Sequence, residues 1–359
     1  MPDFDDSSPV NLDDVRSVSR VLSGVVMTAT LSVVPAVSSH AVATIRVSPT
    51  VPAALATNMP LLRLHFSSST KASALPSLVI RPRLATKWQQ IGPNDVQAVA
   101  TGPLAPAISY RIEAPTAVRC ARRCVFTSVK VHLASVPTNV WWEEQLLAQL
   151  HYLPLTFTPT SPTAPSAQQV PGTFSWNYPD LPSALMAEWE VGTDNVIVHG
   201  ALMSFQSTHS LPTTGVADSA TWAKLVADAN ATKVSTAPYD YVEVSMAAPE
   251  TLTLYVAGKA TFHTLVNTGI SVAPTATGTY PVYLRYTTQT MSGTNPDGSH
   301  YADPGIPWVS YFNGGDALHG FLRSTYGWPQ SLGCVEMTYA AAKTIWPFTP
   351  IGTLVTVHS

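Results

Sequence analysis

Cys334 and His319 are the pair of residues in this sequence best suited to acyl transfer. A thiol is mostly protonated near neutral pH, so a cysteine nucleophile needs a base beside it, and histidine is the usual one. The two lie too far apart in the chain to share a helical turn. Folding must therefore bring them together, from a strand ending at His319 and a loop ending at Cys334. Gly333 suits that loop: without a Cβ it lets the backbone turn sharply and lets main-chain N–H groups face a substrate oxygen, as an oxyanion hole requires. Ser331 is expected to fix the loop, and Arg323 is a candidate for attracting a substrate carboxylate.

The elements that must position this pair can be read on either side of it. Short apolar runs of period two predict strands over Tyr241 to Val244, Leu252 to Val256 and Thr261 to Val266, with the hairpin-length turn Ala257-Gly258-Lys259-Ala260 between the last two. Met291 to Trp308 reads as a long polar loop running into the histidine strand, and Met291, Tyr301, Trp308 and Tyr311 are candidates to line a groove there. After Cys334, Thr338 is placed to cap a helix over Tyr339 to Trp346, and Leu354 to Val357 closes the sheet.

Upstream, Trp142, Leu146, Leu147 and Leu150 fall on one face of an amphipathic helix. Thr156 to Pro171 reads as a Pro/Thr/Ser-rich loop, and two more helices are expected over His199 to Gln206 and Ala220 to Leu225. From Thr44 to about Lys130, alternating runs punctuated by Pro and Gly predict a β-sandwich.

Composition narrows the class. Only 11% of the 359 residues are charged, well below the roughly 25% of ordinary soluble domains, and the 31 prolines fit an exported, loop-rich β protein. A net charge of −3 gives no footprint for nucleic-acid binding. The apolar run Val21 to Val37, preceded by Arg16 and Arg20 and followed by Ala41-Val42-Ala43, reads as an export signal, with an uncleaved membrane anchor as the alternative. Of three cysteines, Cys120 and Cys124 lie close enough for a local disulfide if the backbone turns back on itself, and no Cys or His pair near them has zinc-ligand spacing. Cys334 is then the unpaired thiol.

His319-Gly320 followed by Ser331-Leu332-Gly333-Cys334 resembles the signature of the L,D-transpeptidase family of bacterial cell-wall enzymes. Leu332 stands where that family often has His, and Glu336 where it commonly has Asn or Arg. Phe66 to Trp88 resembles the immunoglobulin-like domains attached to such enzymes, and Gly200 to Leu225 resembles the small helical peptidoglycan-binding domain. The resemblance implies a mainly β, multidomain chain. Its parts are a signal or anchor (1–43), an immunoglobulin-like β-sandwich (44–133), a small α-helical peptidoglycan-binding-like domain with an insert (134–231), and a mostly β catalytic domain (238–359).

The activity so implied is an exported cysteine enzyme of the cell wall that takes peptidoglycan stem peptides and glycan as partners and needs no cofactor or metal. Cys334 would be the nucleophile and His319 its base. The Gly320 carbonyl would orient His319, with Asp316 as the alternative. Gly333, Cys334 and Leu332 would supply N–H groups to the oxyanion, and Tyr311, Trp308, Met291, Arg323, Leu332 and Glu336 would meet substrate. An L,D-carboxypeptidase with the same residues, and an inactive wall-binding protein supported by Leu332 and Glu336, are the rival readings. A papain-like protease fits poorly, because there the cysteine precedes the histidine.

Overall fold

The apolar alternation of the C-terminal region produces two sheets whose inward faces make one core. The computed structural model describes residues 30–31, 41–47, 59–66, 69–81, 83–101, 110–120, 124–133, 138–161 and 167–359. In the first of these sheets Asp240–Ser245 is central, antiparallel to Thr251–Val256 and parallel to Leu354–His358, with Lys259–Leu265 and Gly278–Pro281 at the edges. Ala257 and Gly258 both have positive φ, 48° and 76°, the left-handed pair that a two-residue hairpin turn needs to match strand twist.

The second sheet runs Leu284–Thr294, His300–Asn313, Asp316–Gly320, Val335–Met337, antiparallel except for the last pair, which is parallel. Val242, Val244, Leu254, Leu318, Val335 and Met337 pack between the sheets with Ala342 and Ile345 of the helix Tyr339–Ile345. Thr338 caps that helix, its side chain accepting from Ala341 N at 3.1 Å.

Met291 to Trp308 is not a loop. It forms most of a long hairpin, Leu284–Thr294 against His300–Asn313, with its reversal at Asn295-Pro296-Asp297-Gly298. Up to Gly305 neither strand of the ribbon has a buried residue, so period-two hydrophobicity could not reveal this part of it; only from Ile306 onward does the second strand enter the core.

The helices Val140–Gln149, Val196–Thr208 and Ser219–Asn230 begin at Asn139, Asn195 and Asp218, each of whose side chains accepts from first-turn N–H groups. They enclose Trp142, Leu146, Leu147, Phe205, Trp222 and Leu225. The first helix departs from the amphipathic expectation, since Glu143, Glu144 and Gln145 are buried too. The expected Thr156 to Pro171 loop covers them in part. Gln145 Nε2 donates to Gln168 O at 2.7 Å, its Oε1 accepts from Val170 N at 3.0 Å, and Glu144 accepts from Gly192 N at 2.9 Å. That segment begins as a strand, Leu155–Pro159, paired antiparallel with Gly172–Trp176.

Tyr241 and Leu354 of the first sheet belong to the helical core. A Cβ on Gly200 would meet Gly352 O at 2.7 Å, so the helix touches, backbone to backbone, the turn that leads into Leu354–His358.

Among the N-terminal strands, all antiparallel, Ala41–Val47 pairs with both Met59–Phe66 and Tyr110–Cys120, linking the β network. Ala41-Val42-Ala43, read as a cleavage site, starts that strand. Cys120 lies opposite Cys124 in the hairpin register, but the side chains that would decide the disulfide lie outside the described residues. The Val21 to Val37 run also lies outside them, apart from Thr30–Leu31. No helix of the described residues is long and apolar enough to cross a membrane.

Candidate active site

Strand alternation sorts the catalytic segment into two faces. His319 pairs with Glu336 and Leu318 with Val335 in the parallel ladder. Partners in a ladder share a face and successive residues alternate. Leu318, Val335 and Met337 therefore enter the core, and His319, Glu336 and Cys334 face the other way, into a pocket of about 790 Å³. Tyr311 and Met291 line this pocket, as do Arg323, Ser331, Leu332, Asp303 and Phe321. Trp308 does not. It has φ 59° and packs on Trp346 with ring centroids 5.4 Å apart, because the irregular hairpin turns it toward the core.

His319 is buried, 2% exposed. Its Nδ1 lies 3.1 Å from the Gly320 carbonyl, which can only accept, so Nδ1 carries the proton and the neutral ring presents a bare Nε2. Burial lowers the histidine's affinity for a second proton, against smaller opposing contributions from the Gly320 bond and Glu336. The orienting group is thus this carbonyl and not Asp316, which accepts from Ala276 N at 3.0 Å.

The Cys334 thiol donates to Gly315 O at 3.6 Å, and Ala317 N–H faces its sulfur. Burial, reinforced by Asp316 and Glu336, pushes it up to about 12. Both shifts favour a thiol beside a neutral imidazole.

Ser331 fixes the turn into Cys334: its Oγ donates to Cys334 O at 2.5 Å and accepts from Gly333 N at 3.2 Å. The Cys334 N–H, by contrast, is taken by no acceptor among the described residues. Gly333 sits at φ 116°, where a side chain is strained. Thr275 holds it from below, Oγ1 donating to Gly333 O at 2.7 Å and accepting from Gly269 N at 2.9 Å.

Glu336 is 4% exposed and forms a bidentate pair with Arg323, Nε to Oε2 and Nη2 to Oε1, both at 2.8 Å. Arg323 was expected to attract a substrate carboxylate, but its fork is already filled by one supplied by the chain itself. Leu332 is exposed at the rim.

Sequence reading did not single out Asn267 as part of this assembly. It exchanges main-chain hydrogen bonds with Glu336, both 2.9 Å, and its side chain accepts from Gly327 N at 3.1 Å and donates to Thr325 O at 3.3 Å. Asn267 is fully buried, and a buried amide with so many bonds acts as a tether; its sequence signal was only the motif Asn267-Thr268-Gly269.

The pocket thus brings together a buried base with one bare nitrogen, a thiol on the same sheet face and a glycine turn. Residues 239–357 match the YkuD family, the L,D-transpeptidase catalytic domain, and residues 192–225 match a family of peptidoglycan binding domains. Residues 239–357 thus carry an L,D-transpeptidase catalytic domain, which follows a peptidoglycan-binding domain at 192–225.

Among solved structures it is similar to the catalytic domain of an E. faecium L,D-transpeptidase, with 26% identity over 33% of this chain and 95% of that one, TM-score 0.30. It is also similar to an L,D-transpeptidase from Mycobacterium smegmatis (12% identity, 90% and 100% covered, TM-score 0.31) and to L,D-transpeptidase 3 from Mycobacterium tuberculosis (11%, 85% and 94%, TM-score 0.31). The assignment rests on the two family matches and not on these likenesses. No curated protein matches the chain.

Proposed function

We propose that this is an exported enzyme acting on peptidoglycan stem peptides, joining two of them by a 3→3 cross-link through a thioester on Cys334. His319 Nε2 takes the thiol proton as the sulfur attacks the carbonyl that joins the third stem residue to the terminal D-alanine. The tetrahedral oxyanion is held by the Cys334 N–H, and one such donor can contribute about 3 kcal/mol. His319 returns the proton to the departing amine, and D-alanine leaves. An amine from the third residue of a neighbouring stem then attacks the thioester, His319 takes its proton, and the thiol is restored.

The observation that carries this reading is the Nδ1 contact of His319 with the Gly320 carbonyl, which makes a neutral base on the same sheet face as the thiol. The Arg323–Glu336 pair bears on the inactive reading: the unusual carboxylate beside the nucleophile is matched by a cation. Hydrolysis of the same thioester by water would make the enzyme an L,D-carboxypeptidase, and the same assay separates the two.

Incubation with tetrapeptide muropeptides followed by mass analysis should give free D-alanine and a cross-linked dimer. His319→Ala and Cys334→Ala should each lower D-alanine release by at least about a hundredfold. Undiminished turnover in either variant would refute the assignment, and release of D-alanine without dimer would identify a carboxypeptidase.

A further inference from the structure

The carboxylate of Glu336 is an unexpected group to find in an acyl-transfer pocket. It is almost wholly buried, it shares a sheet face with His319 and Cys334, and it lies directly opposite His319 in the ladder. Left alone, such a charge would act on both members of the pair. It would favour a protonated imidazole, which cannot accept the thiol proton, and it would disfavour a thiolate.

The structure does not leave it alone. Arg323 meets both carboxylate oxygens at 2.8 Å and donates a further Nη2 bond to Gln330 O at 3.2 Å. Its guanidinium lies over the Phe321 ring, 4.6 Å from the centroid, and that ring meets His319 edge-on at 6.1 Å. The Arg323 main-chain N–H also contacts Tyr326 Oη, which in turn donates to Phe321 O at 2.6 Å. The cation is thus held in place by its own loop, between the histidine strand and the cysteine strand.

We propose that Arg323 is a positioning residue for the Cys334–His319 pair: by clamping the buried carboxylate of Glu336 it keeps His319 unprotonated and able to take the thiol proton. The inference rests on the acyl-transfer reading given above. The other charged or titratable groups around His319 are Asp303, Tyr301 and Tyr311 of the hairpin strand, Asp316 at the start of its own strand, and Cys334. Asp316 is turned to Ala276 N, so Glu336 is the carboxylate whose neutralisation depends on a single removable side chain.

The test is the pH dependence of Cys334 acylation by a carbapenem, followed by intact mass on the full chain. The acid limb of that profile reports the base of the free enzyme. Arg323→Gln should move the acid limb up by about one pH unit or more and lower the rate near pH 6 roughly tenfold, because Glu336 then stands uncompensated. Glu336→Gln, which leaves the cation unopposed, should move the limb the other way. The double variant Arg323→Gln/Glu336→Gln should return it to within a few tenths of a unit of the unsubstituted enzyme, and Arg323→Lys should recover most of the shift.

A clamp with a purely structural role predicts slower acylation with the acid limb unmoved, and that result would overturn the proposal. So would shifts of the same sign in the two single variants. Should Arg323→Gln fail to fold, the downward shift of Glu336→Gln and the profile of the double variant decide the matter by themselves. Absence of any adduct on the unsubstituted enzyme would count against the acyl-transfer reading itself, whereas acylation with unshifted limbs would count against the clamp alone.

Discussion

At the scale of single residues, the turn into the nucleophile shows how a backbone conformation becomes chemistry. Gly333 has φ 116°, and a Cβ built on it would lie 2.5 Å from Asp316 Oδ1. The position is closed to other residues both by conformation and by the neighbour that Asp316 provides. Gly333→Ala is therefore expected to destabilise the protein by about 1–3 kcal/mol. It should also slow Cys334 acylation, because the N–H of Cys334 would swing off the oxyanion position. Thermal unfolding and the rate of adduct formation check the two effects, and an alanine variant with unaltered values for both would contradict this account of the turn. The special roles of Gly333 and Ser331 were legible in the sequence because few residue types make such a turn. The engagement of Arg323 with Glu336 was not legible, since a bidentate pair between positions on a loop and a strand has no signature in spacing.

At the scale of elements, the parallel pair Asp316–Gly320 and Val335–Met337 positions the site, and Asn267 secures the segment that joins them. Glu250 supports Asn267 from behind: it is buried, and its carboxylate accepts from Thr268 N at 2.6 Å and Thr268 Oγ1 at 2.7 Å. Asn267→Ala would strip the acceptor from the buried Gly327 N–H and the donor from Thr325 O, at a cost of about 1–3 kcal/mol. The expected outcome is faster amide hydrogen exchange over residues 325–331 and slower acylation, with the flanking strands little changed. Equal protection in the two proteins would show that the tether is dispensable. Sequence pattern found the last helix and four of the five strands of the first sheet, and missed the edge strand Gly278–Pro281. It took Met291 to Trp308 for a loop, because that part of the hairpin is exposed as far as Gly305 and need not alternate apolar with polar residues.

At the scale of the whole molecule, the helical module and the first sheet of the C-terminal domain share a core through Tyr241 and Leu354. Glu143 lies on the first helix of that module. Burial, then the charges of Asp194 and Glu144, raises it from an ordinary value of 4.5 to about 8. The folded protein thus holds a proton there that the unfolded chain releases at lower pH. The sign follows: the favourable contribution of the protonated form is complete below about pH 4.5 and is lost as pH rises through about 8. Glu143→Gln, neutral at every pH, should flatten the decline of Tm between pH 5 and 8 and give a higher Tm than the unsubstituted protein at pH 8. A Tm that falls equally with pH in both proteins would rule out Glu143 as the source. Because of the shared core, the helical module and the catalytic domain are expected to unfold in one transition in this assay.

The sequence by itself singled out Cys334 and His319 as the candidate nucleophile and base, and the glycine turn between them. Their types are dictated by the reaction and by backbone sterics, which local residue identity expresses. It also determined the capped helices and the strands with one apolar face, where periodicity records which side is buried. Only the tertiary structure decided that His319, Cys334 and Glu336 share a face. That follows from the register of a parallel pair closed over a long connection, and register between distant segments is set by packing and not by neighbours in the chain. The same holds for the charge of the site. Glu336 reads in sequence as a misplaced anion beside a nucleophile, and folding supplies Arg323 to neutralise it.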